Sequence, residues 1–528
     1  MSHKEKPHEQ RKKLIVYGML SLIVLYAIGY GVAFAIGPSH MGDDVSYSFS
    51  AHYVSIGTFM QTAGDILTLR ILNILPIGLF YFLFGAGVLS SAAWGITSFA
   101  LSAVLVFLIG KEIYNEYVGL LASFLFSFFP LIAIYSTTMS DNIPMMLFVN
   151  LCIYALIKGM KGKSRAWYFV SGAAAMAAPL TTPQGFILWV ILAVYLLIEL
   201  LRRKISINKV TLFLVAGFLI ALGATLLFNY INAKAPLITF TANAKYYSQT
   251  YRPDLIPLPL GEALSFYPGV MFPYNNAGLN LLSSDTSGGN TTGFFFYLLI
   301  IAAAYLIVKR DKHSYLPILW IVVGMLYLEF GPQHFSISPF SYVLSHRLDR
   351  YLAMIAAPLT LLISAAFVKF VTSSSDKEER YIKISLSAVV LAFLLYTSLQ
   401  IIVFQHNVAS AERYPQLQAA DYLNKLPNTT QIYLDPGYGD LTTFMHFNNT
   451  QRFWYDYDGA TNCTGIPSGA YVLLPRYNPN PLDSCTGSWQ LVLAPQLTNY
   501  SSTAASFASP FVTNLYYVPA VTNKTSGK

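Results

Sequence analysis

Apolar residues in this chain are gathered into long continuous runs, not into the 3.6-residue stripe of a surface helix or the strict alternation of a half-buried strand. Runs of about 16 to 22 residues recur near 14–36, 91–110, 117–136, 142–158, 166–181, 185–201, 210–229, 292–308, 315–330, 351–371 and 384–404, on the scale needed to cross about 30 Å of hydrocarbon. They predict eleven membrane-spanning helices. The stretch Leu67 to Gly87 is apolar too, but Arg70 and Pro76 interrupt it, and counting it as a span would reverse the side of every later loop. An interfacial or re-entrant helix is expected there. After Gln405 the pattern shortens to a helix (Gln416 to Leu426), a strand (Gln431 to Asp435), a helix (Leu441 to Phe447) and strands at Arg452 to Tyr457, Tyr471 to Leu474 and Gln490 to Leu493. Such alternation predicts a small α/β module.

The expected fold class is therefore a polytopic α-helical membrane protein with a small extracytoplasmic C-terminal α/β domain. Its parts are a basic N-terminus (1–13), a transmembrane domain (14–404) whose first outer loop (37–90) bears interfacial helices, and a soluble domain (405–528).

Composition agrees. Of the 528 residues 55% are hydrophobic and 11% charged, and the mean hydropathy is +0.49, far from soluble usage. A net charge of +8 would suit nucleic acid, yet the basic residues sit in short clusters between apolar runs, the pattern that orients membrane helices. No nucleic-acid partner is expected. With Lys4, Lys6, Arg11, Lys12 and Lys13 placed in the cytoplasm, alternation puts Lys158 to Arg165, Arg202 to Lys209, Lys309 to Lys312 and Lys369 to Lys383 inside as well. Ala33-Phe34-Ala35 mimics a signal-peptide cleavage site, but the length of the first run favours a retained anchor. A multi-pass protein of the cell (plasma) membrane is expected, with the C-terminal domain outside. Asn-x-Ser/Thr acceptors at Asn290, Asn428, Asn448, Asn462, Asn499 and Asn523 all fall on predicted outer segments. Cys152 lies within an apolar run, which leaves Cys463 and Cys485 as the one plausible disulfide pair. That bridge would close a loop of about 22 residues and add about 3 kcal/mol in the chain-entropy model.

Ionisable residues inside the spans would mark a pump or an ion-driven transporter. Here Glu199 and Glu329 stand at span ends, and the remaining acids and bases collect at the outer ends: Asp43, Asp44 and His52 after the first span, Asp141 after the third, and His334, His346, Arg347, Asp349 and Arg350 before the tenth. Chemistry at the outer membrane surface is indicated, and a transporter or flippase, which needs a polar path through the spans, is the non-enzymatic alternative.

Four ordered segments bear a resemblance. Gly42-Asp43-Asp44-Val45-Ser46-Tyr47 is similar to the Asp-Glu-x-x-Tyr of the first outer loop of the lipid-dependent GT-C glycosyltransferases, in the branch of the protein O-mannosyltransferases and the aminoarabinose transferase ArnT. Leu69-Arg70-Ile71-Leu72-Asn73-Ile74-Leu75-Pro76 with Leu83-Phe84-Gly85 resembles the interfacial helices that follow; Phe129-Pro130-Leu131 leading to Ser140-Asp141-Asn142-Ile143-Pro144 resembles the second outer loop; His346-Arg347-Leu348-Asp349-Arg350-Tyr351-Leu352 resembles the late Arg-Tyr-Leu element. Together they cover roughly residues 10 to 370.

The resemblance implies transfer of a sugar from a polyprenyl-phosphate donor lipid to a protein or glycolipid acceptor on the outer face. It makes Asp43, Asp44 and Asp141 the catalytic candidates, with a carboxylate as base, and Arg347, Arg350, Arg70 and Tyr351 the candidates for the donor phosphate. Asp44 stands where the family usually has Glu, so either neighbour is open as the base. Asp141 is equally placed to cap the helix after it, and Arg347 and Arg350 to anchor at the interface. Some members of the family bind a divalent metal near the first loop. His52 and His346 are the candidates for that role here, although no His, Cys and Asp residues have ligand spacing and each histidine reads as well as an ordinary polar residue. A rival resemblance sits in the tail, where Phe453-Trp454-Tyr455-Asp456-Tyr457-Asp458-Gly459 is similar to the Trp-Trp-Asp-Tyr-Gly of oligosaccharyltransferases. The same aromatic stretch is also what a plain strand looks like.

Overall fold

A computed structural model describes residues 7–38, 43–59, 66–162, 164–202, 207–241, 260–272, 291–337, 340–344, 348–374, 376–427, 429–434, 443–445, 453–454, 466–475, 490–494 and 513–519. Every predicted span is helical. The long helices are α1 (Pro7–Ala33), α4 (Val88–Ile113), α7 (Asn142–Gly162), α9 (Ile187–Leu201), α10 (Ile207–Ala233), α14 (Ala356–Thr372) and α15 (Lys377–Leu423), and with the short turns that lead into some of them these seven are long and apolar enough to cross a membrane.

The other predicted spans are shorter or broken. The run 117–136 is two helices, α5 (Glu116–Ser127) and α6 (Pro130–Ser136), bent by 60°. Pro130 is the cause: the residue before a proline is driven out of the helical region, and Phe129 sits at φ −71°, ψ 114°. The run 166–181 is α8 (Arg165–Ala177), which tightens into a 3-10 turn at Ala178–Leu180 around Pro179. Runs 292–308 and 315–330 are α12 (Phe295–Val308) and α13 (Tyr315–Phe330), of 14 and 16 residues, or about 21 and 24 Å at 1.5 Å per residue.

The apolar stretch after the first loop is a single helix, α3 (Ile71–Phe84), that runs through Pro76. A proline leaves the carbonyl four residues earlier without its helical donor. Here that carbonyl, Leu72 C=O, accepts from Trp94 Nε1 at 3.1 Å. Ahead of α3 lie α2 (Asp43–Ser55) and a 3-10 turn (Ile66–Leu69); a short α11 (Leu260–Met271) precedes α12. Between α13 and the 3-10 turn Asp349–Ile355 lies a hairpin of β1 (Pro332–Ile337) and β2 (Phe340–Leu344).

The chain divides into two compact units. The first comprises 1–33, 60–73 and 94–402; the second comprises 34–59, 74–93 and 403–528. Within the first, α8 and α10 approach closely because both carry glycine at the crossing: a side chain on Gly172 would land on Leu214 O, and one on Gly217 would land on Phe169 O. Small residues of this kind are what let membrane helices bring their backbones together.

In the second unit β3 (Ile432–Leu434), β4 (Phe453–Trp454), β5 (Tyr471–Pro475), β6 (Gln490–Leu493) and β7 (Thr513–Tyr517) form a five-stranded sheet in the order β4-β3-β5-β7-β6. The β3 strand is parallel to β4 and β5, and β7 is antiparallel to β5 and β6. Its core joins Ile432, Leu473 and Leu515 to Ala419, Ala420 and Leu423 near the end of α15. The helix predicted at 416–426 is therefore the last part of α15, continuous with the final span. Arg413 of α15 donates through Nη1 to Ala35 O (3.0 Å) and Ile36 O (2.7 Å), carbonyls that follow the end of α1.

Candidate functional site

In the first unit, Arg70 lies between the 3-10 turn Ile66–Leu69 and α3, and Asp141 directly precedes α7. Their side chains meet: Arg70 Nη1 to Asp141 Oδ2 is 2.5 Å, with side-chain exposures of 11% and 3%. The second carboxylate oxygen accepts from Asn142 Nδ2 at 2.8 Å, and the Asp141 backbone carbonyl starts α7 by accepting from Met145 N–H at 3.1 Å. Two residues proposed for different roles thus form one largely buried ion pair. At this burial an unpaired charge is costly, so each side chain holds the other in place.

A second acid in the same unit is more fully tied. Asp349, buried at the start of the 3-10 turn, accepts from Tyr135 Oη on α6 (2.7 Å) and Arg350 N–H (2.7 Å) through Oδ1, and from Thr291 Oγ1 (2.9 Å) through Oδ2. One carboxylate thereby fixes α6, the segment entering α12 and the backbone that carries Arg350 and the buried Tyr351. Sequence reading placed Asp349 among the clustered acids but gave it no role. Its partners are hydroxyls separated from it by 214 and 58 residues, which no local pattern announces.

In the second unit, Asp43 and Asp44 form the first turn of α2, where carboxylates interact favourably with the N-terminal end of the helix dipole. Asp44 is buried and Asp43 is half-buried. Residues 44, 47, 48 and 51 share the buried face, the spacing of one helical stripe. Beneath it lies a set of hydroxyls that sequence reading did not find: Ser48 Oγ is 2.9 Å from Tyr81 Oη, Tyr81 Oη is 2.6 Å from Ser91 Oγ, and Ser48 Oγ also contacts Thr443 Oγ1. Burial first, and the neighbouring charge of Asp44 as well, push the Tyr81 phenol up to about 12. His52, on the last turn of α2, is half-buried, and that burial lowers its pKa below the usual histidine value.

Among the described residues, no three or more His, Cys, Asp or Glu side chains are placed together to hold a metal ion. His346, Arg347, Cys463 and Cys485 lie outside the described residues, as do the six sequon asparagines, Asn290, Asn428, Asn448, Asn462, Asn499 and Asn523. The side chain of His334, on β1, is likewise outside them. Of the aromatic stretch in the tail, Phe453 and Trp454 form β4, and 455–459 are outside the described residues.

Comparison with known proteins gives one family-model match and several structural neighbours. Residues 75–228 match the family model for dolichyl-phosphate-mannose-protein mannosyltransferase. Among solved structures, ArnT from Cupriavidus metallidurans bound to undecaprenyl phosphate superposes with a TM-score of 0.59 at 13% identity, covering 96% of this chain and 98% of that one. The apo oligosaccharyltransferase of Archaeoglobus fulgidus gives 0.54 at 12% identity, over 88% of this chain and 70% of that one. The same archaeal enzyme in complex with Zn and sulfate gives 0.51 at 12% identity, over 95% and 73%. No curated protein sequence matches significantly. Residues 75–228 are thus similar to the protein mannosyltransferases, and the chain has the multi-pass, mostly helical membrane fold of ArnT and the archaeal oligosaccharyltransferase.

Proposed function

We propose that the protein transfers a sugar from a polyprenyl-phosphate carrier to a protein or glycolipid acceptor at the outer membrane face, with Asp43 or Asp44 as the base. The observation that carries this reading is the placement of the pair. Two adjacent acids open a helix directly after the first span, in a chain whose fold follows ArnT nearly end to end. The ArnT structure holds undecaprenyl phosphate, the kind of carrier proposed here.

In the proposed step the acceptor hydroxyl oxygen bonds to the anomeric carbon of the sugar, and its proton passes to the carboxylate. The bond from that carbon to the lipid phosphate oxygen breaks, and the electron pair leaves with the phosphate. The transition state is oxocarbenium-like, as in glycoside chemistry. The departing phosphate gains a negative charge, and a guanidinium suits it through paired N–H donors. Arg350, held on a backbone that Asp349 fixes, and Arg347 are the residues proposed for this. Arg70 carries five N–H donors, so its engagement of Asp141 through Nη1 is compatible with a phosphate as a second anionic partner. The reading extends the domain plan too: residues 14–404 carry the transfer chemistry and 405–528 shape the acceptor side, outside the cytoplasm.

The archaeal oligosaccharyltransferase shares the fold at a TM-score of 0.54, which supports a second reading with an amide nitrogen as acceptor and an oligosaccharide on the carrier. Reconstituted protein given dolichyl-phosphate-mannose with tritiated mannose, or a lipid-linked oligosaccharide, separates the two by which label moves. Under the first reading mannose moves, and a base supplies a factor of roughly 10² to 10⁴ that Asp43→Asn with Asp44→Asn removes. Full activity in that double variant would refute the assigned base.

A further inference from the structure

The hydroxyls beneath α2 form a chain whose direction can be worked out. Each hydroxyl has one proton to donate and two lone pairs. Ser91 Oγ is 2.6 Å from Gly87 O, a backbone carbonyl that only accepts; Ser91 therefore donates there and must accept from Tyr81 Oη at 2.6 Å. With its proton given to Ser91, Tyr81 accepts from Ser48 Oγ at 2.9 Å. Ser48, having donated to Tyr81, accepts from Thr443 Oγ1. The chain runs Thr443 to Ser48 to Tyr81 to Ser91 to Gly87 O, and Thr443 also hydrogen-bonds Tyr81 directly. It joins the C-terminal segment, α2, α3 and the start of α4, all within the second unit.

Two features decide what such a chain does. It ends on a carbonyl, which takes no proton, so it is not a relay that drains a base. Ser48 follows Asp44 by one turn on the same buried face of α2, so whatever fixes Ser48 also fixes the rotation and depth of the turn that carries both acids. Serial hydrogen bonds polarise and strengthen one another in a buried setting. Burial raises the phenol to about 12, so Tyr81 remains a hydrogen-bond donor near neutral pH.

We infer that Tyr81 is a positioning residue: its hydroxyl, braced between Ser48 and Ser91, holds the first turn of α2 at its reacting position, and Thr443 extends that brace into the C-terminal domain. The inference rests on the proposed role of Asp43 or Asp44.

The test uses full-length protein in lipid nanodiscs. Tyr81→Phe keeps the ring and removes the link at the centre of the chain. A displacement of about 1 Å at a reacting group costs up to roughly 100-fold, so kcat for transfer from dolichyl-phosphate-mannose falls roughly 10- to 100-fold while KM for the donor stays within about twofold. Tyr81→Phe combined with Ser48→Ala is no slower than Tyr81→Phe, because both changes cut one chain. Amide hydrogen exchange, which needs no substrate, speeds up at residues 45–48 in Tyr81→Phe and stays unchanged in β5 and β7. An additive double variant, a kcat loss matched by the unfolded fraction, or unchanged exchange at 45–48 would each overturn the inference. Retained activity in the Asp43→Asn, Asp44→Asn variant, together with altered exchange in Tyr81→Phe, would sink the base while leaving the brace of α2 in place.

Discussion

Replacing one member of the Arg70–Asp141 pair is expected to do more damage than replacing both. The side chains are 11% and 3% exposed and meet at 2.5 Å, so Asp141→Asn removes the carboxylate charge that faces a largely buried guanidinium, and Arg70→Met removes the guanidinium that faces a buried carboxylate. Removing one partner of a buried pair costs about 3–5 kcal/mol, whereas replacing both with apolar or neutral groups is often close to neutral. The single variants should therefore each lose about 3–5 kcal/mol, and Arg70→Met with Asp141→Asn should recover all but about 1–2 kcal/mol of either loss. One kcal/mol moves Tm by about 2–4 °C in a domain of 150–250 residues, and by less in a larger unit, so shifts of at least about 5 °C are expected for the singles. Differential scanning fluorimetry on detergent-solubilised protein reads them. The same double variant divides structure from chemistry: its Tm returns toward that of the native protein while transfer does not, because the proposed contact from Arg70 to the donor phosphate is gone. If the losses simply add in the double variant, the two side chains do not act as a pair and the reasoning fails.

The close crossing of α8 and α10 depends on having no side chain at two positions, since a Cβ at Gly172 or Gly217 meets a backbone oxygen of the facing helix. Gly172→Ala should cost about 1–3 kcal/mol as overpacking, read as a lower Tm in the same assay, and an unchanged Tm would show that the helices part freely. Arg413 supplies two charge-assisted bonds to carbonyls beyond the end of α1, each worth about 1.5–3 kcal/mol when broken singly. Arg413→Met is expected to destabilise the second unit by about 2–4 kcal/mol and to speed proteolysis after residue 405, with Arg413→Lys intermediate because it keeps the charge on a shorter head group. Equal proteolysis rates for native and Arg413→Met protein would refute that role.

The spans were legible because the bilayer imposes a simple rule, about 20 apolar residues for 30 Å, and the chain obeys it in continuous runs. What length and hydropathy do not encode is where backbone chemistry breaks a run: Pro130 divides 117–136, whereas Pro76 leaves α3 intact because Trp94, 22 residues away, fills the vacated carbonyl. Both prolines stand in apolar surroundings, and only the tertiary donor distinguishes them. The candidate site divides in the same way. Charged residues in a hydrophobic chain are scarce enough to be noticed, so Asp43, Asp44, Arg70 and Asp141 could all be picked out. Neither the pairing of the last two nor the role of Asp349 was visible, since each partnership spans 58 or more residues. The hydroxyls were the least visible. Ser48, Tyr81, Ser91 and Thr443 are ordinary residues for interfacial helices and turns, and a serine or tyrosine acquires a direction of hydrogen bonding only from the fold that surrounds it. The acids show where chemistry is expected, whereas the residues that aim those acids are neutral and scattered along the chain. Mutagenesis restricted to charged positions would therefore find the proposed base and miss what holds it, which makes Tyr81→Phe, a change of one oxygen with no change in charge, the most informative variant for the second unit.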